Sequence, residues 1–136
     1  MADKIKIEVV TPEKLVVSDD AGIVVAPGAL GEFGALTGHT PFLSTLKTGT
    51  LRYTDSEEKE RYVFINGGFA EVLPDKVSVL AESAERKSEI DIDRAKNALD
   101  RAEKRLASDD NDIDINRAKS ALERASHRLK LTEADG

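Results

Sequence analysis

Ile90-Asp91-Ile92-Asp93-Arg94-Ala95-Lys96-Asn97-Ala98-Leu99-Asp100-Arg101-Ala102 returns 23 residues later as Ile113-Asp114-Ile115-Asn116-Arg117-Ala118-Lys119-Ser120-Ala121-Leu122-Glu123-Arg124-Ala125. Two copies of one charged helix, joined by Ser108-Asp109-Asp110-Asn111-Asp112, predict an antiparallel helical hairpin with a polar turn. The apolar positions are Ile92, Ala95, Leu99, Ala102 and Leu106, then Ile115, Ala118, Leu122, Ala125 and Leu129. Steps of three and four put them on one narrow stripe per helix, and the alternating alanines let the two backbones approach closely. Ser88, followed by Asp91, and Asn111, followed by Asp114, are the predicted starts.

Working outward, composition changes just before the hairpin. All four prolines, all six aromatics and eight of the nine glycines precede residue 82. Val, Ile, Leu, Met, Phe and Tyr number 29 in the first 81 residues and 9 in the last 55, so only the first part has the material for a core of its own. The expectation is a sandwich domain over residues 1–84 and a helical hairpin over 85–136, the latter docking on something else and able to change its docking.

Strand signals fill the first part. Ile5, Ile7 and Val9 alternate with Lys4, Lys6 and Glu8 until Thr11-Pro12 stops them. Further apolar runs follow at 15–17, 23–26, 42–46, 51–53, 62–65, 69–73 and 77–81, separated by Gly, Pro, Asn or Asp. Such spacing predicts an antiparallel β-sandwich or flattened barrel, and the class α+β. Asn66-Gly67-Gly68 reads as a tight hairpin and Pro74-Asp75 as another turn.

Several functions are disfavoured. A chain without cysteine has no thiol chemistry, two separate histidines make no ligand cluster, and the carboxylates sit mainly among lysines and arginines on helices, so no catalytic residue and no metal are expected. The glycine-rich stretch from Pro27 to Pro41 is not a phosphate loop. His39 follows Gly38 where a lysine is needed, and three residues rather than four separate Gly34 from Gly38. It reads as a projecting loop with Glu32 and Phe33 near its tip. Net charge of −6 argues against nucleic acid, and the charge is shared between 8 basic and 12 acidic residues in the first 81 and 12 and 14 in the last 55. No stretch has the roughly 20 apolar residues of a membrane span. Strand-like alternation begins by Lys4, so no signal or transit peptide is expected.

Gly31-Glu32-Phe33-Gly34, Gly38-His39-Thr40-Pro41, Leu46-Lys47-Thr48-Gly49, Gly67-Gly68-Phe69-Ala70-Glu71-Val72, Val77-Ser78-Val79-Leu80-Ala81-Glu82 and Ile90-Asp91-x-x-Arg94-Ala95 occur in one chain and in this order. Together they resemble the epsilon subunit of rotary ATP synthases, over the whole chain. Ala35 and Thr37 depart from that family's usual loop, where a larger aliphatic and a proline are common. The resemblance implies a sandwich of about ten short strands and a seat in the central stalk, beside the gamma subunit and on the membrane c-ring. It implies that the loop of Glu32, Phe33 and His39 meets the ring. It further implies that the hairpin, once extended, reaches the alpha and beta subunits and opposes ATP hydrolysis. Arg117, Lys119, Arg124, Arg128 and Lys130 then suit acidic loops of beta, with Glu123 offsetting Lys119.

Bacterial relatives of this kind bind ATP on the folded-down hairpin as a regulatory ligand. The resemblance gives Asp91 the adenine amino group, Ile90 and Ala95 the apolar contact with the base, and Arg94, Arg101, Arg117 and Arg124 the phosphates, with Glu85 a further candidate. Read without it, Asp91 is a helix cap and Arg94 a surface arginine. No cofactor is required. The implied location is the cytoplasmic face of a bacterial plasma membrane, in preference to a plastid thylakoid, with membrane contact only through the complex. The competing reading is a free-standing nucleotide-sensing adaptor, which differs in needing no tight complex with gamma.

Overall fold

The computed structural model describes residues 3–108 and 110–133. Asp109, in the predicted turn between the helices, lies outside the described residues. Eight strands precede the helices: β1 (Ile5–Val10), β2 (Leu15–Ala21), β3 (Val24–Gly28), β4 (Gly31–Ala35), β5 (Phe42–Leu46), β6 (Gly49–Thr54), β7 (Glu60–Val72) and β8 (Lys76–Arg86). A short 3-10 turn, Lys87–Glu89, leads to α1 (Ile92–Ala107) and α2 (Ile115–Thr132).

The strands form a β-sandwich whose two layers share one hydrogen-bonded system. β1 pairs with β2 and, in parallel, with β8. β7 pairs with β8 along most of its length. On its other side β7 meets β5 from Gly68 to Val72 and β6 from Glu60 to Ile65, in a single register. β3 returns to both, through Gly28 opposite Leu46 and Val24 opposite Tyr53, and carries β4 at its far edge. The apolar runs at 62–65 and 69–73 belong to one continuous strand, β7, and β8 runs on past its expected stretch at 77–81 as far as Arg86.

The Asn66-Gly67-Gly68 hairpin is therefore corrected: it is a bend inside β7. Gly67 and Gly68 adopt φ of 70° and 109°, open to glycine at little cost. A Cβ on Gly68 would lie 2.1 Å from the Leu80 carbonyl oxygen of the neighbouring strand, so the backbones cross where no side chain fits. Thr48 donates to Asn66 Oδ1 at 2.8 Å, filling the gap between β5 and β6. Pro74-Asp75 forms the expected turn, with Leu73 N–H donating to the Lys76 carbonyl at 2.7 Å.

Alternation in β1 delivers Ile5, Ile7 and Val9 into the core, each fully buried beside Val24, Leu51, Ile65, Val72, Val77 and Val79. The Tyr53 hydroxyl of β6 donates to Asp19 of β2, and burial first, then that bond, push the hydroxyl's pKa up. This polar tie joins two strands that are not neighbours in either layer.

Both helices begin at aspartate. Asp91 and Asp114 are the N-caps, accepting from the Arg94 and Arg117 N–H groups at 3.0 and 3.1 Å. The expected starts at Ser88 and Asn111 are thus three residues early, since the repeat places its own capping aspartate directly before the apolar stripe. Along the seam the alanines do the burying: Ala95 and Ala102 on α1, Ala118 and Ala125 on α2. Ile92 and Ile115, at the two helix starts, stay 45% and 57% exposed.

Candidate functional site

The hairpin rests on the sandwich through α2, which lies against β6 and β7, while α1 packs chiefly on α2. The anchor is small. Leu131, 2% exposed, meets Phe64 of β7 and Ile90 of the linker, with Tyr62 beside them. Arg128, one turn earlier, completes it. Its Nε donates to Glu85 Oε1 at 2.7 Å and its guanidinium carbon lies 4.4 Å from the centroid of the Phe64 ring. An arginine that stacks on an aromatic face while pairing with a carboxylate holds two elements in one geometry, which lysine does less well.

Beside this latch a cavity of about 360 Å³ opens, lined by Glu85, Glu89, Asp91, Arg94, Ala95, Ala98, Arg101 and Arg128. Five candidates from the sequence come together there: Glu85, Asp91, Arg94, Ala95 and Arg101. Ile90 is buried against Phe64 and Leu131 instead, so its side chain supports the docking. Arg117 does not join the group. Eleven residues of helix separate it from Arg128, about 16 Å at 1.5 Å per residue. Arg124 lies one turn from Arg128 but does not line the cavity. Arg128, read from sequence only as a contact for other subunits, is the arginine that α2 supplies. Asp91 serves both readings at once, capping α1 while lining the cavity.

The linker before this site is fastened. Arg86 Nε donates to the Val16 carbonyl at 2.8 Å, and Glu89 accepts from Lys14 Nζ at 2.9 Å and from the Arg86 N–H at 3.2 Å. The Lys14 bond first, then the Arg86 N–H, hold the Glu89 carboxyl below the usual carboxylate range. A depressed folded pKa means that this stabilisation is present above the unfolded value, about 4.3, and is lost as pH falls through the folded one. Protection of residues 87–90 against hydrogen exchange, measured relative to the intrinsic rate at each pH, is expected to fall on acidification below about pH 4.3, and the dependence to be weaker in Glu89→Gln. The pair is exposed, so the effect is at most about 1 kcal/mol. An identical pH profile in the variant would show that Glu89 does not hold the linker.

The β3–β4 hairpin projects its tip. Glu32 pairs with Arg52 at 3.2 Å and is exposed. The Phe33 ring turns inward against the core and meets Phe42 edge to face at 5.0 Å, so it props the hairpin from behind. His39 Nδ1 lies 2.6 Å from the Thr40 carbonyl, fixing its own loop. Leu30 is the fully exposed apolar residue at the tip. An apolar row crosses the sandwich surface through Leu15, Val10, Leu80 and Phe69, which are successive cross-strand partners on β2, β1, β8 and β7. Leu15, Leu80 and Phe69 are each about half exposed. Alternation could have revealed this row only with the register known, and Leu30 carried no signal beyond its glycine neighbours.

Among the described residues no cluster of three metal-ligating side chains occurs, and no helix is long and apolar enough to cross a membrane. A β-sandwich with an exposed apolar row on one face and a two-helix hairpin docked beside it is the class of fold that these elements define. Residues 4–87 match the family described as ATP synthase, Delta/Epsilon chain, beta-sandwich domain, and residues 88–133 match its long alpha-helix domain. The chain belongs to this family, within the epsilon chains of bacterial ATP synthases. It is 63% identical to the ATP synthase epsilon chain of Desulfosudis oleivorans over 79% of this chain and 81% of that one. Identity to the epsilon chain of Desulfatibacillum aliphaticivorans is also 63%, over 82% and 79%. A chain in the Euglena gracilis mitochondrial ATP synthase, OSCP/F1/c-ring, has the same fold, with a TM-score of 0.81 at 24% identity over 96% of this chain and 82% of that one.

Proposed function

We propose that the chain joins gamma to the membrane c-ring in the central stalk, and that its hairpin opposes ATP hydrolysis when extended and is held down by ATP. The observation that carries the second half is the Glu85–Arg128 latch set in the wall of a cavity with two further arginines, Arg94 and Arg101. A triphosphate entering that cavity meets guanidinium groups suited to bidentate phosphate contacts. Asp91 and Ala95 then offer an acceptor and an apolar patch for the base. Because the cavity is built from both helices and the linker, a ligand in it favours the docked arm by its differential affinity for that arrangement and no more.

For the stalk half, the row of Leu15, Val10, Leu80 and Phe69 suits the apolar face of gamma, and Leu30 with Glu32 suits the c-ring. Rotation then passes through shape as well as charge, since the rim pair of Glu32 is worth about 0–1 kcal/mol. In the extended state Arg117, Arg124 and Arg128 are free to meet acidic loops of the alpha and beta subunits; Arg128 must leave Glu85 to do so. The reading places the chain peripherally on the cytoplasmic face of the plasma membrane. Family membership weighs against a free-standing adaptor.

Titration of the full chain with ATP is expected to shift the amide resonances of Ile90 to Ala95, and Arg94→Ala to abolish the shifts. No shift at millimolar ATP would reject the sensor while leaving the stalk role standing.

A further inference from the structure

A second groove, of about 370 Å³, lies on the other side of the docked arm, between the last turn of α2 and β6, away from the arginine cavity. Its wall includes Lys47, from the loop between β5 and β6, and His127 and Lys130 from α2. Pro27 and Leu131 make its apolar floor, and Glu32 and Arg52 its far edge. Three cations (Lys47, Arg52 and Lys130) line it with one carboxylate (Glu32), in a chain whose net charge is −6. Arg52 is already held by Glu32 at 3.2 Å and by Glu60 at 3.5 Å. Lys47 and Lys130 have no ion pair among the described residues.

Docking therefore brings two unneutralised ammonium groups, one from each module, to the walls of a single groove. Both ammonium groups are exposed, so their mutual repulsion is slight, but a dianion seated in the groove gains from each of them. We infer that this groove binds the phosphate group of a small phosphorylated anion, gripped by Lys47, His127 and Lys130, with any organic portion on Pro27 and Leu131. The volume exceeds what a lone phosphate fills, and the apolar floor gives the remainder somewhere to lie. Such a ligand touches both modules, so it strengthens docking of the arm independently of any nucleotide in the arginine cavity.

The test is a resonance titration of the full chain, at constant ionic strength, with inorganic phosphate, with glycerol 3-phosphate, and with chloride as control. Saturable shifts at Lys47 to Thr50 and His127 to Leu131 are expected with the two phosphates and not with chloride. Lys47→Gln and Lys130→Gln should each weaken binding about tenfold, equivalent to about 1.4 kcal/mol, with Ile90 to Ala95 unmoved. A parallel flotation assay uses vesicles of phosphatidylglycerol and phosphatidylcholine. Lysine-dependent binding there, without response to the free phosphates, would assign the phosphate to a lipid headgroup. Equal shifts with chloride, shifts confined to Glu85 to Arg101, insensitivity to both substitutions, or no binding in either assay would each overturn the inference.

Discussion

Gly68→Ala is expected to destroy the sandwich. The new methyl carbon would stand 2.1 Å from the Leu80 carbonyl oxygen and 2.8 Å from the Ala81 Cα, both backbone atoms of β8 that cannot swing aside. The φ of 109° adds strain that alanine does not tolerate. Loss of more than about 3 kcal/mol follows, a large share of a small domain's stability, and thermal unfolding measured by circular dichroism should show no cooperative transition near the parent's. Gly22→Ala is the control. Nothing lies within 4 Å of its new Cβ, so a change within about 0.5 kcal/mol is expected. A well-folded Gly68→Ala chain would mean that β7 and β8 do not approach as described.

Arg128→Ala is expected to free the arm and spare the sandwich. It removes the 2.7 Å bond to Glu85 and the stacking on Phe64 together, and leaves a half-buried carboxylate without its cation. About 1–3 kcal/mol is at stake, or roughly 5- to 150-fold in the docking equilibrium. Leu131→Ala attacks the same junction by emptying a packed apolar site and should cost about 2–4 kcal/mol. Limited proteolysis should cut the two variants within residues 90–133 much faster than the parent, at an unchanged sandwich midpoint. Equal cleavage rates would show that the arm is held elsewhere.

These two sites also mark what the sequence disclosed and what it concealed. The hairpin was legible because its instruction is written twice, and the buried alanines at 95, 102, 118 and 125 are the ones the stripe predicts. Where the hairpin docks was not legible, since Arg128 has an ordinary repeat counterpart in Arg105 and Leu131, opposite Ser108, stands outside the stripe. A seam between helices repeats with the helix, whereas contact with a sheet is a single local event. Asn66-Gly67-Gly68 misled for a related reason. Positive φ serves a reversal and a bend equally, and only strand partners on both sides of β7 distinguish them. The cavity was half legible: residues close in sequence (Glu85, Asp91, Arg94, Ala95) gather by adjacency and helical period, while choosing among the arginines of α2 needed the register of one helix on the other.

The continuity of β7 carries a mechanical consequence. Since one covalent strand threads both layers and is hydrogen-bonded to β5, β6 and β8 along the way, a twisting load applied to either face is borne along the main chain and not by slippage of one sheet over the other. A body wired in this way turns as a stiff key, and whatever compliance the subunit possesses must reside in the arm.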